Sequence, residues 1–141
     1  MNYSGLLRAG RQALESQPFS KLLNAKLRVF SPGEVVLEVP ITEELMQQHG
    51  FVHGGVISYA ADNSLTFVGA SVLGAKVLTS EYKINYLRPA IGDKLIARSQ
   101  VVSAGKRQAV CRCDIFVLAD QEEKLCATAQ GTIVTFVTDD D

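Results

Sequence analysis

The chain has 141 residues, 47% of them hydrophobic, which is enough for one domain with a substantial core. Lysine and arginine total 14 against 15 acidic residues, which argues against the net basic field that sequence-independent nucleic-acid binding relies on. Three cysteines are too few, and odd in number, for a disulfide framework, so a reducing, cytoplasmic setting is expected.

Residues 3–16 place Leu6, Leu7, Ala13 and Leu14 near helical spacing around Arg8, Arg11 and Glu15, which predicts an amphipathic helix. Pro18 is expected to end it, giving an N-terminal helical region over residues 1–20. The same segment has no apolar run leading to a small-residue cleavage site, so no export signal is expected. Residues 26–30 and 35–39 read as extended runs separated by Ser31, Pro32 and Gly33, which is turn chemistry. A hairpin or one long kinked strand follows from that pattern.

After the polar residues 42–48 comes the glycine-rich stretch from His49 to Gly55, then a run that is apolar on nearly every side as far as Leu73. A helix of that kind is buried, and Gly74 supplies its stop. It is not expected to span a membrane, because Asp62 alone costs about 2.5 to 3.5 kcal/mol on insertion scales. Four long strands are predicted at residues 76–87, 94–102, 108–119 and 124–137, with turns between them at hairpin spacing. Residues 138–141 are expected to be a solvated tail.

An antiparallel sheet around one long apolar helix is a two-layer α+β arrangement, the hotdog architecture, and residues 1–141 are expected to form a single domain of that kind. A helix of roughly 18 residues is about 27 Å long, which matches strands of about 8 to 10 residues.

Between His53 and Gly74 the one residue charged at neutral pH is Asp62, in mid-helix. An unpaired carboxylate is costly to bury. Either it is satisfied by amides or by a subunit partner, or it works chemically. Gly54 and Gly55 stand where the helix begins, and a helix start presents free N–H groups backed by the positive end of the macrodipole. Glycine there lets a ligand carbonyl approach the backbone closely, although two glycines before a helix also serve as a plain tight turn.

Gly54 and Asp62 are eight residues apart, about 12 Å along a helix, too far to engage one carbonyl from the same chain. Two such helices running antiparallel across a two-fold axis would bring the amide of one to the acid of the other, with two equivalent sites per dimer.

The string Gln47-Gln48-His49-Gly50-Phe51-Val52-His53-Gly54-Gly55, then Asp62, then Asn85-Tyr86-Leu87-Arg88-Pro89 resembles the PaaI-type hotdog thioesterases, over residues 21–137. The resemblance implies a hotdog fold, dimers often paired into tetramers, and hydrolysis of acyl-CoA thioesters without metal or cofactor. It makes Asp62 the catalytic acid, as general base or nucleophile, and the Gly54 N–H the group that polarises the thioester carbonyl. Gln47 matches a side-chain amide that helps hold thioester or water, with Gln48 as an adjacent competitor. His53 fixes the loop, and Thr79 falls where some members have a hydroxyl that orients water. Arg88, Lys106 and Arg107 are candidates for the phosphates of CoA, or else are solubilising surface charges. Gly55, Tyr59, Asn63, Phe67 and Tyr82 are expected to border the acyl group.

Other motifs carry less. His49 and His53 have no third ligand nearby for zinc. Ser58 lacks the glycines of a nucleophile elbow. Cys111 and Cys113 share one strand face without redox spacing, and Gly105-Lys106-Arg107 lacks the upstream glycine of a phosphate loop. A hotdog dehydratase or hydratase acting on 3-hydroxyacyl thioesters would want a histidine beside the acid, and only His53 is available. A non-catalytic acyl-CoA-binding module has no need to keep Asp62.

Overall fold

Along Gln108–Ala119 the buried residues are Ala109, Cys111, Cys113, Ile115 and Val117, every second position, the period that sends one face of a strand into a core. The computed structural model describes residues 2–137; the tail expected at residues 138–141 lies outside them. Its strands are β1 (Lys26–Ser31), β2 (Glu34–Pro40), β3 (Val77–Tyr86), β4 (Lys94–Ala104), β5 (Gln108–Ala119) and β6 (Glu122–Thr135). They form one six-stranded sheet in the order β1-β2-β4-β5-β6-β3, with every neighbouring pair antiparallel. Consequently β1 and β3 are the edges, and β3 has β6 on one side only.

The helices are α1 (Ser4–Glu15), α2 (Pro18–Leu22) and α3 (Gly54–Leu73). The last, 20 residues long, touches all six strands and supplies the middle of the core through Ala60, Ala61, Leu65 and Val68, each 0% exposed. Small residues let it sit close to the sheet: a Cβ built on Gly69 would lie 2.6 Å from the Ile133 side chain. Ser64 and Ser99, both buried, satisfy each other across the helix–sheet contact. Gly74 ends α3 at φ 98° with its N–H on Ala70 O, a backbone conformation that favours glycine.

One expectation needs amendment, and one open alternative is decided. Pro18 does not simply stop the first helix; it opens α2 at the first helical position, where a missing N–H costs nothing and a fixed φ is already helical. The segment 26–40 is a true hairpin, β1 paired with β2. Glu38 on β2 ties that hairpin to β4, with Arg28 at 2.9 Å and Lys94 at 3.0 Å. Burial raises its pKa, but hydrogen bonds and Coulombic attraction from Lys94 and Arg28 outweigh that and hold it below the ordinary carboxylate value. Among the described residues no helix is long and apolar enough to cross a membrane.

Candidate active site

The N-terminus of α3 is set by the loop before it. Met46 bridges to Val52, the Gln47 N–H reaches Phe51 O at 2.9 Å, and the Gly50 N–H reaches Gln47 O at 3.1 Å. Gly50 takes φ 87° at the tip, which favours glycine. His53 then caps the helix, its Nδ1 accepting the Gly55 N–H at 2.8 Å, so imidazole does the work usually given to serine or aspartate. Gly55 is thereby occupied. The Gly54 N–H has no partner among the described residues, and the helix dipole stands behind it.

From Gly54, α3 presents one stripe toward β3 at successive four-residue steps. Gly54 O accepts from Tyr86 OH at 3.1 Å, Ser58 Oγ pairs with Tyr82 OH, and Asp62 Oδ1 accepts from Thr79 Oγ1 at 2.7 Å. Thr66 completes the stripe, with Oγ1 2.8 Å from Asp62 O and 2.9 Å from Thr79 Oγ1. Positions i and i+4 share a helix face, so the amide donor and the acid lie on one face and are separated along it. Asp62 is half-buried; one carboxylate oxygen is held by Thr79, and Oδ2 has no partner among the described residues.

Thr79 and Tyr82 are three apart, so a regular strand would point them to opposite faces. A bulge prevents that: Thr79 pairs with Ile133 and Glu81 with Thr132, leaving Ser80 extra. Both side chains therefore face α3, a re-aiming that bulges provide beside active sites. Across from Tyr82, a Cβ on Gly131 would lie 2.5 Å from both the Tyr82 Cβ and the Glu81 carbonyl oxygen, so the glycine lets β3 pass close at these two residues.

A cleft of about 540 Å³ opens at the helix start, lined by Gly54, Gly55 and Ile57, with Phe51, Tyr86 and Arg88 among its other walls. The structure thus brings together Gly54, Gly55 and Arg88. Gln47 is not in that cleft; its side-chain oxygen accepts from the His49 N–H within its own loop, and Gln48 is exposed. Lys106 and Arg107 lie in the β4–β5 turn, where Arg107 O accepts from the Thr135 N–H. Since Thr135 pairs with Val77, that is the opposite end of β3 from Tyr86 and the cleft.

The residues expected to border an acyl group divide into two sets. Tyr82 belongs to the β3 stripe. Tyr59 instead turns toward α2, its OH donating to Ser20 Oγ at 2.6 Å and its ring edge-on to Phe19. Burial pushes the Tyr59 phenol above its ordinary value, partly offset by Ser20 and Asn63, so it stays a donor at neutral pH. Asn63 joins that cluster, with Nδ2 3.0 Å from Tyr59 OH, and Phe67 packs edge-on to Phe30 at 5.4 Å. Thr66 is not singled out by the sequence, and Ser58 and Tyr86 are given no place in the site there; the signal for Ser58 and Thr66 is their four-residue spacing from Asp62.

With this geometry, the comparisons are consistent. The pattern of the Thioesterase superfamily matches residues 49–124, which include the α3 stripe and Thr79. Acyl-coenzyme A thioesterase PaaI of Escherichia coli is 28% identical over 118 residues, covering 83% of this chain and 81% of that protein. The PaaI structure from the same organism superposes with a TM-score of 0.81 over 92% of each chain at 24% identity, a likeness of fold. A thioesterase family protein from Silicibacter pomeroyi is 31% identical with a TM-score of 0.88, covering 97% of this chain and 100% of the other. Sequence pattern, sheet order and helix placement agree, and this chain belongs to the thioesterase superfamily as an enzyme of the PaaI-type hotdog class.

Proposed function

We propose that the protein hydrolyses acyl-CoA thioesters to the free acid and CoA, at sites shared between two copies of the chain. The observation that carries this reading is the α3 stripe: an aspartate with one oxygen held by Thr79 and the other free, and an unpartnered Gly54 N–H two turns away on the same face. One chain cannot bring both to one carbonyl. Two α3 helices running antiparallel about a two-fold axis can, with the Gly54 N–H of one receiving the thioester oxygen and Asp62 of the other facing the carbonyl carbon. Support for such pairing comes from the open edge of β3, which leaves Leu78 and Tyr86 more than half exposed.

Thioesters are activated acyl donors, so a positioned carboxylate and an oxyanion donor suffice, the donor contributing roughly 2.7 to 4 kcal/mol. Asp62 Oδ2 either takes a proton from the attacking water or attacks carbon itself to give an anhydride that water then opens. Both routes add one water across the C–S bond and release CoA as its thiol. Arg88, which lines the cleft, is the cation we assign to phosphate oxygens of CoA. Gln47, His53, Lys106 and Arg107 enter as supporting residues, the last two from the far end of the sheet.

A thiol-release assay over an acyl-CoA panel tests the assignment. Asp62→Ala is expected to lower kcat by about a hundredfold or more with the fold retained, and sedimentation should find no active monomer. Full activity in that variant, or a fully active monomer, overturns the reading. A folded protein that binds acyl-CoA but releases no thiol would instead be a binding module.

A further inference from the structure

If Gly54 of one copy faces Asp62 of the other across a two-fold axis, the residue midway between them faces its own counterpart. That residue is Ser58, four positions from each. It belongs to the half-buried row Gly54, Ser58, Asp62 and Thr66, whose flanking residues Ile57, Ala61 and Leu65 are buried. Every member of the row is glycine or carries a short polar side chain, so two such helices can approach closely along it.

The strand beside the helix has a centre of its own. Nine residues of β3 pair with β6 once the bulged Ser80 is left out, and Tyr82 is the middle one. An antiparallel partner on the open side of β3 covers the whole strand when the axis passes at Tyr82; an axis displaced along the strand leaves part of the edge unpaired. The two centres are found independently, one from the spacing of donor and acid on α3, the other from the pairing of β3. They touch, for Ser58 Oγ and Tyr82 OH are hydrogen-bonded across 24 positions of sequence. Between them the two hydroxyls hold two hydrogens, and their mutual bond uses one. The other, with spare lone pairs on both oxygens, has no partner among the described residues. At a closed interface such groups lose water and need new partners, which the counterpart pair supplies.

We infer that Ser58 lies on the two-fold axis and that Ser58 and Tyr82 of each copy meet as a row of four hydrogen-bonded hydroxyls bracing the two active sites against each other. This rests on the shared-site hydrolase reading and adds two positioning residues to it. The row stands one helical turn from Gly54 and one from Asp62 in each copy, so it sets the gap in which the thioester carbonyl must fit between donor and acid. Both residues act through that gap rather than on the reacting atoms.

A residue on a two-fold axis meets itself, so exchanging its charge is the test. Ser58→Asp and Ser58→Lys, each alone, place like charges face to face and should weaken the dimer by about a hundredfold or more in sedimentation. Mixed in equal amounts they should pair again, with thiol release at least about tenfold above the sum of the two alone. Folded variants that remain dimers alone, or that fail to pair when mixed, overturn the inference. Ser58→Cys covers the case in which the charges prevent folding. Copper phenanthroline should oxidise it to a disulfide-linked dimer, since Cα atoms within about 7 Å can be bridged, while a cysteine at exposed Ser103 should stay unlinked. The three native cysteines are buried and leave the readout clear. No linkage in a dimeric protein also overturns the inference. For the bracing role, Tyr82→Phe and Ser58→Ala should each lower kcat about tenfold with KM within about twofold of wild type. The double variant should fall no more than about threefold further, because both changes break the same row. Unchanged kcat overturns that role. If wild type hydrolyses no thioester, the hydrolase reading falls, and charge exchange at residue 58 still decides whether Ser58 lies on the axis.

Discussion

Thr79 touches the acid and nothing else in the stripe does so through the carboxylate. A hydrogen bond to a charged group is worth about 1.5 to 3 kcal/mol, and here it also fixes which oxygen of Asp62 remains free. Thr79→Val keeps the shape and removes the donor, so kcat should fall about ten- to a hundredfold while KM and the melting temperature stay close to wild type. Thr79→Ser should restore most of the rate in the same assay. Asp62 itself is legible in the sequence, because a lone charge in an all-round apolar helix has to be explained. The hydrogen bond that Thr79 makes is not legible, since it depends on a bulge that exists only once β3 has paired with β6.

At the level of elements, the contact of α3 with β6 depends on Gly69, where a Cβ would lie 2.6 Å from Ile133 Cβ and Cγ2. Branched at Cβ, Ile133 has little room to yield. Gly69→Ala should therefore destabilise the fold by about 1 to 3 kcal/mol through overpacking, read from chemical denaturation midpoints at unchanged slope. The strands were readable from alternation: β5 begins and ends where the pattern puts it, and the others differ by at most two residues at either end. The first helix does end before Pro18, at Glu15, but proline carries two meanings, a stop for the helix before it and a start for the helix it opens, and the sequence showed only the first. Only the residues around it in space decide between them.

For the whole molecule, the core holds all three cysteines, Cys111, Cys113 and Cys126, each 0% exposed. Burial pushes each thiol up to about 11, and the thiolate is the reactive form. Native protein at neutral pH should resist an aromatic disulfide reagent, and unfolding should release three reactive equivalents together; fast labelling of one thiol in the native state would contradict this core. Sequence reading put Cys111 and Cys113 on one strand face as a packed pair, which the pattern of burial bears out. The bond between Ser58 and Tyr82 was not foreseeable, because the two stand 24 residues apart and meet only through the fold.

The supernumerary Ser80 has a consequence for how the chain tolerates shortening. Excising it leaves Thr79 opposite Ile133 and Glu81 opposite Thr132, so every cross-strand partnership survives, whereas excising Lys83 would invert the residues beyond it and swing Asn85 inward. The shorter strand should accumulate as intact protein yet turn over poorly, its hydroxyl no longer steered by the local twist. A single codon would then separate the ability to fold from the ability to catalyse, with circular dichroism reporting the first and thiol release the second.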